Sequence, residues 1–227
     1  MIESADDYAE IGPGRLGAIT QRLRSAGVED VVIVGAVDKA TVLDPSGFDE
    51  VGLGVVRRLT DASDRALLGA VLDVFVSEGF VVGDQRSFLP GLLVPEGLLA
   101  GEPLSRSEQR DADVALEAAR TLAKAGVGQT VVVRQGITAA VEAMEGTDAT
   151  IRRAASLAGV GVIVAKAAHA QHDFRCDVPT IGPGTLSVLR DCAARGLILE
   201  AGRAFVVDRE AFLDHADACG LTVIGCP

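Results

Sequence analysis

Aromatic residues are scarce in this chain. Its 227 residues include no tryptophan, and aromatics account for 4% of them, whereas hydrophobic residues as a whole account for 48%. The core must therefore be built mainly from valine, leucine, alanine and glycine. Such a composition suits parallel strands covered by helices better than a sandwich of aromatic-rich strands, so it favours an α/β fold.

Basic charge is also in short supply. Lysine and arginine together number 21, against 32 aspartates and glutamates, which leaves a net charge of −11. Nucleic acids and anionic membranes repel an acidic protein at long range, so neither is expected as a partner held by general electrostatic attraction. A local basic site for phosphate remains compatible with this charge.

Cysteines follow no ligand or disulfide pattern. There are four of them and they form no CxxC motif: Cys176, Cys192, Cys219 and Cys226. We interpret them as free thiols in a reducing compartment.

Signals for export or membrane insertion are missing as well. The first ten residues are acidic and lack the basic-then-apolar pattern of a signal peptide. The longest apolar stretches are interrupted by Pro95 and Glu96 or by Lys166, which leaves them too short to span a bilayer. We therefore expect a cytoplasmic protein whose only membrane contact would be transient and peripheral.

A glycine motif opens the first predicted helix. Residues 12–17 read GPGRLG, the helix ends at Gly27, and a strand predicted at 31–37 is followed by Asp38. In a dinucleotide-binding unit the glycines admit a pyrophosphate and an acid at this spacing binds a ribose. A strand should precede the glycines, however, and residues 3–10 are acidic instead. The pattern favours a glycine-rich helix start, with NAD or FAD binding as an alternative.

Prolines and glycines interrupt the chain near its middle. They recur between residues 88 and 107, where they would break a helix or a central strand. Beyond them we predict helices at 107–126 and 184–195, paired strands at 197–208 and a final strand at 221–225. The chain is predicted to form two α/β units: an incomplete Rossmann-like unit at 1–88 and a mixed-sheet unit carrying the chemistry at 107–227, joined by a linker at 89–106.

Residues 130–146 predict two strands joined by a turn. Apolar and β-branched residues flank the turn dipeptide Gln135–Gly136. The sequence EGTD at 145–148 comes next and begins a helix, for which Thr147 or Asp148 is the expected N-cap. Exposed amides beside a threonine hydroxyl also make a phosphate site, so this corner is either a simple cap or part of a binding site.

Mixed charge is concentrated in one stretch, residues 161–184. A short apolar run at 162–164 leads into Lys166 and a loop that closes at Gly182 and Gly184. The loop carries a varied set of polar side chains: His169, His172, Asp173, Arg175 and Asp177. A buried strand fixes the root of such a loop while the loop itself reaches a cleft, which is how α/β proteins place reactive groups. We interpret this stretch as the reacting centre.

Three blocks of the second unit stand in a distinctive order. They are GQTVVVRQGITAAVEAMEGTDATIRR at 128–153, DFRCDVPTIGPGT at 173–185 and LEAGRAFVVDRE at 199–210. Together they resemble the LpxI type of UDP-2,3-diacylglucosamine pyrophosphatase, and the resemblance extends over nearly everything from Ile11 onward. It implies a cytosolic enzyme of two α/β units that uses a divalent metal, normally Mg²⁺, to direct water at the α-phosphorus of UDP-2,3-diacylglucosamine. UMP and lipid X, on the route to lipid A, would be the products.

The resemblance and the chemistry of the residues indicate one site. Asp173, Asp177 and Glu145 are the expected catalytic acids. The first two are the expected ligands of Mg²⁺, which binds one or two carboxylates together with substrate phosphate and water. One carboxylate would orient the attacking water, while Lys166 and Arg175 would neutralise phosphate oxygens. The expected substrate-binding residues are Thr147, Asp148, Lys166, His169, His172 and Arg175.

Two features depart from the family pattern. Where similar proteins carry a KPxQD run, this chain reads HAQHD at 169–173, so histidines replace a lysine and a glutamine and the proline is absent. The strand–helix–strand segment that opens the family's first domain also has no counterpart ahead of Ile11. We expect either a shortened chain or a replaced opening; if it is shortened, the strand at 31–37 has an unpaired edge, from which we predict a homo-oligomer.

Alternatives follow from these departures. His169, His172 and Cys176 are softer ligands that would select zinc over magnesium. A second alternative is that this chain is a non-catalytic protein whose altered site holds a nucleotide-linked lipid without cleaving it. The apolar loop at 91–101 is a candidate contact for acyl chains or a membrane surface, or else an ordinary packed linker.

Overall fold

The computed structural model describes residues 5–35, 45–59, 64–175 and 177–227. The chain divides into two compact units, residues 1–85 and 86–227, and each contains helices and strands. The predicted α/β fold class is confirmed.

The first unit combines two short parallel strands with helices. Its elements are α1 (Leu16–Ser25), β1 (Asp30–Val31), α2 (Glu50–Arg58), α3 (Asp64–Ser77) and β2 (Val81–Val82). β1 pairs in parallel with β2. The strand predicted at 31–37 is therefore much shorter within the described residues, and its last two positions, 36 and 37, lie outside them.

The glycine motif at 12–17 serves helix packing. A Cβ on Gly52 of α2 would lie 2.0 Å from the carbonyl oxygen of Gly14, so the close approach of the two segments requires glycine. The Asp49 carboxylate accepts from the Gly52 N–H (2.9 Å), and its second oxygen accepts from the Ala18 N–H in the first turn of α1 (3.0 Å). A pyrophosphate would need such amides at the start of α1. Because the chain's own carboxylate already bonds there, the structure argues against the dinucleotide alternative.

The second unit is built on a six-stranded mixed sheet. Its elements are α4 (Gln85–Phe88, at the boundary of the units), β3 (Gly97–Ala100), α5 (Arg106–Lys124), β4 (Thr130–Arg134), β5 (Ile137–Val141), α6 (Thr147–Ala158), β6 (Ile163–Lys166), β7 (Thr180–Ile181), α7 (Pro183–Asp191), β8 (Gly196–Glu200), β9 (Phe205–Val206), α8 (Arg209–Ala218) and β10 (Thr222–Cys226). The strand order in the sheet is β3-β10-β8-β6-β4-β5. β7 and β9 form a separate parallel pair.

Parallel and antiparallel pairing are combined in this sheet. β10, β8 and β6 are parallel, the β4–β5 hairpin is antiparallel to β6, and β3 is antiparallel to β10. The segment 89–106, predicted as a linker, thus contributes β3 as an edge strand. The predicted pairing of two strands within 197–208 is wrong, because β8 pairs with β6 and β10 whereas β9 pairs with β7. All five residues of β8 are buried, as expected of a central strand.

Helices cover both faces of the six-stranded sheet. On one face, alanines of α5 pack against Val131, Ile163 and Ile198. On the other face, α6, α7 and α8 pack against Val164 and alternate residues of the neighbouring strands. Each central strand therefore buries both of its sides. Polar side chains are therefore left to the ends of these strands. The loops that follow β6 and β8 both begin at the same end of the sheet.

The predicted turn at 135–136 is confirmed. Gln135 and Gly136 have positive φ values of 51° and 76°. The buried Asp111 carboxylate of α5 accepts from the N–H groups of both residues, each at 2.7 Å. This contact fixes the hairpin to the helix at the sheet edge opposite Lys166.

Candidate active site

Four chain segments, namely β4, β6, β8 and helix α6, meet at the end of the sheet where β6 terminates. β6 is parallel to β8 and antiparallel to β4, so Lys166 at the end of β6 stands opposite Thr130 at the start of β4. Helix α6 begins at the same edge, because the Lys166 ammonium donates to the hydroxyl of Thr147, its first residue, at 2.9 Å. The structure therefore brings together the corner at 145–148 and the stretch beginning at 166, as the sequence predicted.

Lys166 lies at the centre of this cluster. Its side chain is buried, with the residue 8% exposed. Thr147, which accepts from the ammonium, donates its own hydroxyl hydrogen to Glu142 (3.0 Å). Burial lowers the pKa of Lys166, and the charges of Glu142, Asp177 and Asp148 oppose that effect. The charges of three carboxylates thus act on one ammonium, and this cluster of side chains carries excess negative charge.

Asp177 connects the loop to this cluster. Its Oδ2 accepts from the Gln129 side-chain amide at 2.8 Å and lies 3.1 Å from Nε2 of His172, which also lies 3.1 Å from the Asp177 carbonyl oxygen. Because both oxygens are acceptors, this Nε2 carries a hydrogen. Burial works to raise the pKa of the Asp177 carboxyl, but the contacts with His172 and Gln129 and the charge of Lys166 lower it overall. The carboxyl is consequently ionised at neutral pH.

The two histidines pack against each other. The rings of His169 and His172 meet edge to face with centroids 5.1 Å apart, and His169 Nδ1 accepts from the Gln171 N–H at 3.1 Å. The zinc alternative joined these histidines to Cys176, which lies outside the described residues. Within the described part of the chain, no group of three or more histidine, cysteine, aspartate or glutamate side chains is arranged to hold a metal.

Asp173 and Arg175 form a partly exposed ion pair on the loop. Nε of Arg175 donates to one carboxylate oxygen at 2.9 Å and Nη2 donates to the other at 2.7 Å. The side chains are 42% and 43% exposed. The hydrogen bonds from Arg175 hold the pKa of the Asp173 carboxyl below its usual range. Asp173 is therefore an ionised carboxylate that water and substrate can reach.

The start of α6 is held differently from the prediction. Thr147 or Asp148 was expected as the N-cap, but Gly146 occupies that position with φ 80° and makes no side-chain hydrogen bond. The prediction is wrong because the hydroxyl of Thr147 bonds Lys166 and Glu142 instead. Asp148 accepts from the hydroxyl of Thr185 at 2.7 Å, which ties the first turn of α6 to the first turn of α7. Two helix starts are thus joined at the site.

Glu145 points to a different set of partners. Its carboxylate pairs with Arg153 of α6, accepts from the Thr150 hydroxyl (3.4 Å) and accepts from the Ala143 N–H (3.2 Å). Its own backbone amide and Arg153 lower the pKa of the Glu145 carboxyl. The structure gives Glu145 a role in closing the β5–α6 corner and places none of the Lys166 contacts on it.

Sequence reasoning missed several residues of this edge. Gln129 and Glu142 flank the β4–β5 hairpin, Thr185 lies in α7, Glu200 ends β8 and Arg203 follows it. Each falls inside one of the three blocks of resemblance, which is the signal that could have found them. Their convergence depends on the strand order, since the start of β4 and the ends of β5, β6 and β8 become neighbours only in this sheet.

Comparison with known proteins places this site in a family. The model of the LpxI C-terminal domain matches residues 95–224, and that of the LpxI N-terminal domain matches residues 1–92. The chain belongs to the LpxI family. The sequence-based prediction of that family is confirmed, and the C-terminal LpxI match contains every residue of the Lys166 cluster.

A curated LpxI relative supports the same assignment over both units. It is the UDP-2,3-diacylglucosamine pyrophosphatase LpxI of Caulobacter vibrioides, which is 37% identical over 238 aligned positions. The alignment covers 98% of this chain and 84% of the relative. The likeness therefore extends through both LpxI domains.

Proposed function

We propose that this protein is a hydrolase that cleaves the pyrophosphate of UDP-2,3-diacylglucosamine, giving UMP and lipid X for lipid A synthesis. The 37% identity to the Caulobacter vibrioides pyrophosphatase over 98% of the chain carries the proposal. The site is chemically suited to the reaction, since it combines a buried cation, ionised carboxylates and two helix starts at one edge of a sheet.

The pyrophosphate would bind where positive charge and free amides converge. Lys166 supplies a charge that acts strongly because its surroundings are buried and of low dielectric constant. The first turn of α6 follows Gly146, whose lack of a side-chain cap leaves amide groups for phosphate oxygens. Arg175 adds a guanidinium on the loop, suited to bidentate contact with phosphate. We assign His169 and His172, whose rings contact each other on the loop between Lys166 and Arg175, to the same binding site.

Hydrolysis then requires an activated water. Asp173, ionised and partly exposed, is the proposed base that accepts a proton from the water attacking one phosphorus of the pyrophosphate. The new bond forms from the water oxygen to that phosphorus, and the bond from it to the bridging oxygen breaks. The bridging oxygen leaves with the other phosphate, so that one phosphate ends in UMP and the other in lipid X. Lys166 offsets negative charge on the phosphate oxygens as this happens.

A divalent cation fits the donor chemistry of these side chains. Asp148, Glu142 and Asp177 all act on the single ammonium of Lys166, which leaves two negative charges uncompensated, and a divalent cation carries the two positive charges that would balance them. Mg²⁺ needs only one or two carboxylates when phosphate oxygens and water complete its shell, which agrees with the small number of donors here. We propose Asp177 and Asp173 as its carboxylate ligands. When bound, the cation would polarise phosphate oxygens and lower the pKa of a coordinated water.

The first prediction concerns the reaction itself. Incubating the protein with UDP-2,3-diacylglucosamine and Mg²⁺ should release UMP and lipid X in equal amounts, measured by chromatography of the nucleotide and the lipid. Tight substrate binding without UMP release during long incubation would instead identify a non-catalytic nucleotide–lipid-binding protein. Failure both to bind and to cleave this substrate would overturn the proposal.

NAD and FAD should leave the melting temperature unchanged, because the Asp49 carboxylate already bonds an amide at the start of α1.

The second prediction concerns metal removal. Treatment with EDTA followed by dialysis should abolish UMP release, because the cation would no longer offset the phosphate charge or activate the attacking water. Adding Mg²⁺ back should restore the rate. Undiminished activity in excess EDTA would contradict the metal requirement, and recovery with Zn²⁺ but not with Mg²⁺ would favour the histidine-based alternative.

The lipid substrate bears on location and assembly. Among the described residues, no helix has the length and apolar character needed to cross a bilayer. We propose a cytoplasmic enzyme that collects its acylated substrate from the inner face of the membrane by transient contact. Homo-oligomer formation stays a prediction that sedimentation velocity would test.

A further inference from the structure

A buried carboxylate lies behind the active-site loop. Glu200, the last residue of β8, is 3% exposed, yet its carboxylate has three partners. Oε1 accepts from Nε of Arg120 at 2.7 Å, while Oε2 accepts from the Ala168 N–H at 2.8 Å and from Nε of Arg203 at 3.3 Å. The carboxylate therefore joins helix α5, the loop that follows β6 and the turn that follows β8.

Three successive backbone groups of that loop are held in place. Ala167 donates its N–H to the Gln129 carbonyl at 3.0 Å. Ala168 donates to Glu200, and the next carbonyl, that of His169, accepts from Nη2 of Arg203 at 2.6 Å. The ladder between β6 and β8 ends at Lys166 and Leu199. The side chain of Glu200 thus continues the hydrogen bonding beyond the point where strand pairing stops.

Arg203 also contacts the far side of the same loop. Its guanidinium carbon lies 5.0 Å from the ring centre of Phe174, and that of Arg86 lies 3.8 Å from it. Phe174 directly follows Asp173 and is buried. Arg203 therefore touches the loop on both sides of Asp173, at the His169 carbonyl before it and at the Phe174 ring after it.

The energetic character of Glu200 argues for a specific role. Desolvating a carboxylate and its guanidinium partners is costly. A protein with well-packed apolar side chains of similar size in their place is often at least as stable. What an apolar residue cannot do is accept the hydrogen bond of Ala168 and orient Arg203. We propose that Glu200, acting through Arg203, is a positioning residue that fixes the backbone at 167–169 and thereby the placement of Lys166 and Asp173. This inference rests on the proposed hydrolysis.

The test compares Glu200→Gln with a matched control at the other end of β8. Glu108 pairs with Arg195 at 3.0 Å, and both side chains are partly buried, but Arg195 directly precedes β8 whereas Glu200 ends it. Glu200→Gln should lower kcat about 10- to 100-fold with KM changed less than about threefold, because small displacements of reacting groups cost that much. Glu108→Gln should leave both constants near wild type while lowering the melting temperature, because it weakens an ion pair of the same kind.

Hydrogen exchange measured by mass spectrometry gives a readout independent of activity. In Glu200→Gln the amides of peptides covering 167–172 should exchange faster, while those of β6 at 163–166 stay protected. An unchanged kcat, or unchanged exchange at 167–172, would overturn the positioning role. Should Glu200→Gln fail to fold, Arg203→Lys, at a partly exposed position, is subject to the same two criteria. If the wild-type protein releases no UMP, the proposed function fails and exchange alone decides whether Glu200 fixes the loop.

Discussion

Asp173→Asn should lower the rate of UMP release by at least about 10³-fold, because the variant loses the proposed proton acceptor and a carboxylate ligand for the cation. Its fold should survive the change, since the side chain is 42% exposed and its ion pair with Arg175 is at the surface, where such pairs contribute about 0–1 kcal/mol. The measurement is UMP release under saturating substrate and Mg²⁺, together with the melting temperature.

Asp191→Asn is the matched control for this experiment. Asp191 also pairs with an arginine, Arg190, at 2.9 Å, and its side chain is 59% exposed. It lies at the end of α7, away from the end that joins α6 at the site. Near-wild-type release by Asp173→Asn would remove Asp173 from the mechanism, and an equal loss in both variants would point to surface charge in general.

Lys166→Met should lower kcat/KM by about 10²- to 10³-fold, the usual cost of removing one group that stabilises developing charge. Methionine keeps an unbranched side chain of similar length, so the packing of β6 is preserved while the ammonium is removed. Glu142, Asp148 and Asp177 would then lack their shared counter-charge, and the pKa of the Asp177 carboxyl, which the charge of Lys166 helps to lower, should rise. A second effect on stability follows.

The stability of Lys166→Met should depend on pH with a definite sign. The lowered pKa of Asp177 gives the wild-type protein a stabilising contribution that is present above the unfolded-state pKa and is lost as pH falls through the folded-state pKa, and Lys166 supplies part of it. Without Lys166 this contribution is smaller, so the melting temperature should fall further below that of wild type as pH increases from about 3 to 5. Lys124→Met, at an exposed position at the end of α5, should show neither effect. A constant difference across this pH range would contradict the proposed charge arrangement.

Local signals in the sequence were sufficient for some of these features. The turn at 135–136 was predictable because glycine beside a polar residue tolerates positive φ, and the structure gives both residues that conformation. The loop after β6 was predictable because a short apolar run leads directly into an unusual density of charge. Both inferences use neighbouring residues alone.

Features that depend on strand order could not be predicted in this way. Residues 197–208 read as a hairpin because two apolar runs flank a short turn, yet β8 takes its partners from segments distant in sequence. Gln129 and Glu142 looked unremarkable for the same reason, since only the β4–β5 hairpin lying beside β6 brings them to Lys166 and Asp177. Sequence proximity to Thr147 likewise does not reveal that the Glu145 carboxylate pairs with Arg153, and its catalytic role stays a prediction.

The contact between Asp49 and the start of α1 bears on how short motifs are interpreted. A GxGxxG spacing indicates that some other group lies close to the backbone of these glycines. In this chain that group is helix α2 with its N-capping residue Asp49. A motif scan for cofactor-binding enzymes would report such a chain as a match, and that match would be a false positive. Larger residues at Gly14 or Gly52 should accordingly appear in a mutational screen as folding defects of the first unit, with no change in any ligand preference.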